Sequence, residues 1–335
     1  MPSMRKVAFC FMELGMGTVK ARNNCCSGND QADLRVEEFG RKKWCGASTK
    51  KIYNNRRERM LRREFLFEDN HSEEWDIPIT GLPLTTTVDG NKIYGKLVLP
   101  AVKNKEERTP VLILLHGHPG QDRNLDLMFS LPRAGIAVAF FSYRGIWGSH
   151  GDYCFSHLME DTRAMFEHLK EHAEEWRLDM DHCYLFGHSM GGFTLLNSLA
   201  QGLPVRGAIA MAPCDLAYVY EEKYEDFLAL MDVQKEGYFR VPDEKYMEND
   251  TKQNYEKWRF LNLADFIPKH IPVHFIGGTQ DDLTPPQEHI LPLYEKMLEK
   301  GMKVSYTEMN DGHSFLMNRI ALVRLVFDKI AEMEA

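Results

Sequence analysis

A chain of 335 residues, 44% hydrophobic and 27% charged, has the balance of a water-soluble globular protein and enough apolar content for a large core. No run approaches the roughly eighteen apolar residues of a membrane-spanning helix, so no membrane span is expected. A net charge of −8 argues against a general nucleic-acid partner, although the charge is uneven: residues 1–70 carry +6 and the remainder −14.

Residues 1–75 read as a basic N-terminal extension. No helical or strand period is sustained there, and Arg56-Arg57-Glu58-Arg59 with Arg62-Arg63 makes a basic run of the kind that stays solvated. The apolar run Val7 to Met12 after Arg5-Lys6 resembles the start of a secretory signal. Glu13 cuts it short and no small-residue cleavage site follows. The expectation is a disordered segment or a misassigned start, with Met60 as the natural one. Cys25, Cys26 and Cys45 have neither C-x-x-C spacing nor a histidine before His71, so no metal site is expected among them. Cys154, Cys183 and Cys214 are widely spaced and odd in number, which fits reduced buried thiols and a cytoplasmic location.

The α/β domain is expected over 76–335. Thr85 to Val88, the turn Asp89-Gly90-Asn91 and Ile93 to Leu99 read as a hairpin. Val111 to Leu115 is apolar throughout, as a strand covered on both faces must be. Ile136 to Phe141, Cys183 to Phe186, Ala208 to Met211 and Val273 to Ile276 repeat the signature, and Val304 to Thr307 is strand-like. Helical patterns lie near 156–175, 190–201, 286–300 and 315–333. Alternating strands and helices predict a mostly parallel central sheet with helices on both faces. Residues 214–262 break the alternation with many aromatics and acids, and read as a small helical cap above the carboxyl edge of the sheet, where ligands bind in open α/β folds. Its aromatics Tyr218, Tyr224, Phe239 and Trp258 are candidate substrate-pocket residues, together with Trp147.

One stretch carries chemistry. Gly187-His188-Ser189-Met190-Gly191 completes G-x-S-x-G between an apolar strand and a helical pattern, the sharp turn that raises a serine above a sheet. A serine hydroxyl is a poor nucleophile at neutral pH and needs a base, with a carboxylate to orient that base. Of thirteen histidines, His313 suits the base, on a turn between the last strand-like stretch and the final helix. His168 and His172, four apart on a charged helix, and His270, His274 and His289 fit solvated or packed roles. Asp281 and Asp282, after a buried strand, compete for the acid. The oxyanion donors are expected to be the amides of Met190 and of His118, the latter in the loop Leu115-His116-Gly117-His118-Pro119-Gly120. The imidazoles of His116 and His118 are expected to be structural or pocket-lining.

Over residues 85–335 the chain resembles the α/β-hydrolase superfamily, on the pieces His116 to Gly120, Tyr143 to Gly151, Gly187 to Gly192, Gly278 to Pro285 and Asp311-Gly312-His313. The order Ser, Asp, His is the superfamily's own. The resemblance implies Asp281 as the acid, three residues after the glycine and four before the proline, and a loop-shaping role for Arg144. Its arginine-glycine loop is similar to that of prolyl-oligopeptidase-like and esterase members. No propeller domain precedes the hydrolase part, which favours an esterase with a small-molecule ester substrate and no cofactor. An aminopeptidase or amidase on the same triad and a catalytically silent binding protein are the alternatives. Oligomeric state is left open.

Overall fold

The computed structural model describes residues 61–69, 75–120 and 124–335; the signal-like run with its Cys10, the cysteines Cys25, Cys26 and Cys45, and the basic run at 56–59 lie outside them. Eight strands, β1 (Thr80–Val88), β2 (Asn91–Leu99), β3 (Thr109–Leu115), β4 (Ala137–Phe141), β5 (Leu178–His188), β6 (Gly207–Met211), β7 (Val273–Gly278) and β8 (Val304–Met309), form one sheet in the order β1-β2-β4-β3-β5-β6-β7-β8. β2 runs antiparallel to both neighbours, while β4, β3, β5, β6, β7 and β8 pair in parallel.

The apolar runs explain this order. Every residue of β3, β4, β6 and β7 is buried, because helices cover both faces of the sheet. Successive side chains divide between two cores: Val111, Ile113 and Leu115 pack with α2 (Phe155–Glu171) and α3 (Met190–Ala200), while Leu112 and Leu114 pack with α1 (Leu125–Ser130) and α10 (Arg319–Glu334). β8, at the edge, is only half-buried.

The sequence pattern misplaces three details. α1 is too short to show a period and was not expected. The final helix begins at Arg319 rather than near 315, because residues 314–318 form the turn after His313. The pattern near 286–300 is two helices, α8 (Pro286–His289) and α9 (Leu291–Glu299), interrupted at Ile290 beside Pro292.

Packing also begins before residue 76. Residues 63–66 form a 3-10 turn whose Leu66 is buried in the second core. The Arg62 guanidinium lies 4.1 Å over the Trp75 ring and donates to the Ala101 carbonyl at 2.8 Å, and Arg133 donates to the Leu66 carbonyl at 2.7 Å. Arg62 is therefore not solvated as expected: it lays its stem along apolar surface and satisfies a carbonyl. Arg63, exposed, pairs with Asp328.

Between β6 and β7 the chain inserts α4 (Leu216–Glu222), α5 (Tyr224–Asp232), a 3-10 turn (Val233–Glu236), α6 (Tyr246–Trp258) and α7 (Phe260–Leu263). Asp215 ties both ends of this helical cap. Its carboxylate accepts the amides of Ala217 and Tyr218 at the start of α4 and that of Phe260 at the start of α7.

Candidate active site

The carboxyl ends of β5, β7 and β8 carry three turns. On the first, Ser189 is held at φ 56, ψ −119, a strained conformation for a residue with a side chain. The elbow can close this tightly only because of its glycines: a Cβ on Gly187 would stand 2.2 Å from the Gly191 carbonyl oxygen, and one on Gly191 would stand 2.0 Å from that of Leu115. Main-chain bonds from Ser189 to Met211 (3.0 Å) and from Cys214 to Ser189 (3.1 Å) fix the turn against the end of β6. The side chain is half-exposed and so reachable.

On the second and third turns, Asp281 Oδ2 and His313 Nδ1 are 2.9 Å apart. Asp281 is buried and Asp282 exposed. The Asp281 carboxylate also accepts the amides of Leu283 (3.0 Å) and Thr284 (2.9 Å) and the Thr284 hydroxyl (2.9 Å). Burial alone would raise its pKa. The His313 hydrogen bond and charge, with the Thr284 donors, outweigh that and hold the carboxyl at about 2. Asp281 therefore stays ionised, and His313 keeps its proton on Nδ1, leaving Nε2 as the basic nitrogen.

Two residues that sequence reasoning missed brace this pair. Thr284 Oγ1 stands 3.1 Å from His313 Nδ1 and 3.2 Å from the Ala212 carbonyl oxygen, bringing the acid turn against the end of β6. His188 Nε2–H donates to the His313 carbonyl at 2.8 Å, so the residue before the serine grips the turn that carries the base. A signal existed for Thr284, since an Asp three residues before a Thr is an Asx-type turn. None existed for His188, whose partner lies 125 residues away. The Ser189 hydroxyl makes no hydrogen bond among the described residues. Such contacts commonly lengthen in empty sites and tighten on substrate.

The loop after β3 passes directly over the serine. A Cβ on Gly117 would lie 3.1 Å from Ser189 Cβ and 3.6 Å from its Oγ. The next amide, of His118, makes no main-chain bond among the described residues, and that of Met190 opens α3, where the first N–H groups lack helical acceptors. The His118 imidazole faces the other way. It stacks on Phe239 at 4.4 Å and meets Tyr153 at 3.3 Å and the Leu230 carbonyl at 3.1 Å, tying the loop to the cap. Burial pushes its pKa down to about 4, so the ring is neutral at pH 7.

The other predicted pocket residues divide. Trp147, exposed, donates from its indole to the Pro119 carbonyl at 3.0 Å and leans on Tyr238, placing it beside the loop over Ser189. Phe239 reaches that loop through His118. Tyr218 packs edge-on to His289 at 5.3 Å. Trp258 departs from expectation: it is buried edge-to-face against Phe193 of α3, filling the seam under the cap, because a large apolar ring at the end of α6 gains most by full burial. Tyr224 is exposed and bonded to Glu248.

Arg144 shapes its loop. It is buried, bonds Asp161 through both backbone and side chain, and reaches Asp89 and Glu160. Burial lifts Asp161 to about 6 against the pull of Arg144. The cap docks here through main-chain bonds from Arg240 to Gly145 (2.7 Å) and from Tyr153 to Arg240 (2.8 Å).

Known proteins share parts of this sequence and this fold. The serine aminopeptidase (S33) family model matches residues 106–232. Among solved structures, brefeldin A esterase superposes with a TM-score of 0.59 at 18% identity, covering 79% of this chain and 80% of its own. Puromycin hydrolase gives 0.58 at 20%, covering 76% and 39%. The chain has the α/β-hydrolase fold. Among curated proteins, dipeptidyl aminopeptidase A of Saccharomyces cerevisiae is 25% identical over 231 residues, 63% of this chain but only 22% of the yeast protein. The chain thus spans about a fifth of that curated relative and about two fifths of puromycin hydrolase.

Proposed function

We propose that this α/β hydrolase is a serine hydrolase that cleaves a carboxylic ester through an acyl-enzyme. The observation that carries the reading is the 2.9 Å Asp281–His313 hydrogen bond on turns that flank a strained, accessible Ser189. Ser189 Oγ attacks the ester carbonyl and gives its proton to His313 Nε2. Asp281 stabilises the imidazolium. The carbonyl oxygen, now an oxyanion, is received by the amides of Met190 and His118. Collapse expels the alcohol, which takes the proton from His313. Water then repeats the sequence and releases the acid.

Relatives include peptidases, and the family model carries an aminopeptidase name. An aminopeptidase must seat a free ammonium on a carboxylate. The four aspartates buried among the described residues, Asp161, Asp215, Asp281 and Asp311, are all occupied, the last by the amides of Gly312 and Met317 and by Asn318. That favours an uncharged acyl group and the ester reading. Labelling with a fluorophosphonate, lost in Ser189→Ala, tests the nucleophile. Turnover of matched ester, anilide and N-terminally free dipeptide substrates tests the leaving group: ester turnover should dominate, and preferential cleavage of the free dipeptide would make the protein an aminopeptidase. Absence of labelling and of all turnover would leave a binding protein.

A further inference from the structure

A second cluster of chemically capable side chains lies at the far edge of the sheet. His168, Glu171 and His172 occupy the last turn of α2, spaced i, i+3 and i+4, so all three project from one face of the helix. One ligand atom from each can be chosen such that all lie within 4.8 Å of one another. Around a tetrahedral Zn²⁺ with bonds near 2.0–2.2 Å, donors stand roughly 3.3 Å apart, which side-chain rotation of exposed Glu171 and half-exposed His168 can reach.

The ring of His172 is already set for coordination. Its Nδ1–H donates to the His168 carbonyl at 2.9 Å, which fixes the tautomer and leaves the Nε2 lone pair free, as in established metal sites where the second ring nitrogen is held by a carbonyl. Trp176 stacks on it at 4.6 Å with planes 14° apart, and meets His168 edge-on at 5.5 Å. Stacking on the face of the ring leaves the in-plane lone pair unobstructed. Two imidazoles and a carboxylate are the donor set of a borderline divalent ion rather than of Ca²⁺ or Mg²⁺, which take oxygen ligands.

We propose that His168, Glu171 and His172 form a transition-metal site, suited to Zn²⁺, at the end of α2. Three protein ligands on an exposed helix leave a fourth position to water. The site is separated from Ser189 by the length of β5, roughly 30 Å. Its role is therefore structural: the ion clamps the final turn of α2 and the turn that leads into β5, and binds the folded chain alone.

Zn²⁺ titrated into the full-length protein by calorimetry should show one ion that disappears in the His168→Ala/His172→Ala double variant. Glu171→Gln, which keeps shape and removes charge, should weaken it by roughly 10-fold or more. Zn²⁺ should raise Tm in the parent and not in the double variant, each compared with its own metal-free Tm. Cu²⁺ should quench Trp176 fluorescence, and Trp176→Phe should remove that part of the quenching. An ion held by Cys25, Cys26 or Cys45 would persist in the double variant and so would be counted separately. Identical Zn²⁺ stoichiometry and affinity in parent, double variant and Glu171→Gln, or no binding by any of them, would overturn the proposal.

Discussion

The turns at the carboxyl edge and the helical cap above them are held in different ways. The turns are knit by main-chain bonds between segments distant in sequence: Thr279 to Met309, Gln280 to Asp311, Ser189 to Met211 and Cys214 to Ser189. Side chains of His188 and Thr284 add cross-links between the same turns. The cap depends more on side chains, namely the Asp215 carboxylate at its two ends, the Phe239 and His118 stack and the buried Trp258, with one main-chain clasp at Arg240. On the proposed mechanism, chemistry then sits on backbone geometry that few substitutions alter, and selectivity on contacts that single substitutions can retune.

The sharpest test of the first half is removal of its reacting groups. Ser189→Ala should lower kcat for a nitrophenyl ester by about 10⁴-fold or more, with Tm little changed because Ser189 is not a core residue, and His313→Ala should lower kcat nearly as much. Near-normal turnover by the Ser189 variant would end the mechanism. Asp281→Asn should cost on the order of 10⁴-fold, since an amide in place of the carboxylate favours the wrong tautomer of His313. Asp282→Asn, exposed and one residue along, should leave kcat within a few-fold. Equal losses would show that the acid turn works as a charged patch instead of a fixed orienter.

The domain's edge offers a stability test. Leu66, in the stretch expected to be an extension, is 1% exposed, so Leu66→Ala should cost about 2–5 kcal/mol in urea unfolding. A cost below about 0.5 kcal/mol would return residues 61–69 to the status of a loose extension.

Acid should weaken the Asp281 turn. A folded-state pKa near 2 against about 3.9 unfolded contributes roughly 2–3 kcal/mol. Because the folded value is depressed, that stability is present above about pH 4 and lost as pH falls toward 2. The difference in unfolding free energy between parent and Asp281→Asn should shrink over that window, and a constant difference would assign it to shape and not to charge.

Reading the sequence recovered the sheet and the three turns because each is local: an apolar run, then a glycine, a serine, an aspartate or a histidine at its end. Asp281 against Asp282 needed the resemblance, since nothing local shows that the first is buried and the second exposed. What stayed hidden depends on distance. Leu66 and Arg62 look solvated until Trp75 and Ala101 are beside them, His188 acts on a carbonyl far along the chain, and Trp258 and Phe239 look alike as aromatics although one fills a seam and the other braces the loop over Ser189.

That last distinction predicts the smallest and most discriminating effects. Phe239 contacts the Ser189 loop through His118, and Trp147 stands beside it on the Pro119 carbonyl, so Phe239→Ala and Trp147→Ala should each shift the ratio of kcat/KM between short and bulky acyl esters, by about 1–3 kcal/mol equivalent. Trp258→Ala should lower Tm strongly and leave the ratio unchanged, since its ring meets Phe193 inside the seam. Tyr224→Ala should change neither by much, because its hydroxyl serves only Glu248 on an exposed face. If Trp258→Ala moved selectivity as far as Phe239→Ala, the cap would act as one cooperative body whose seat on α3 sets the pocket, and the division between bracing and filling aromatics would fail. If Phe239→Ala lowered kcat equally for every ester, its stack on His118 would matter for holding the oxyanion donor and not for shaping the acyl pocket.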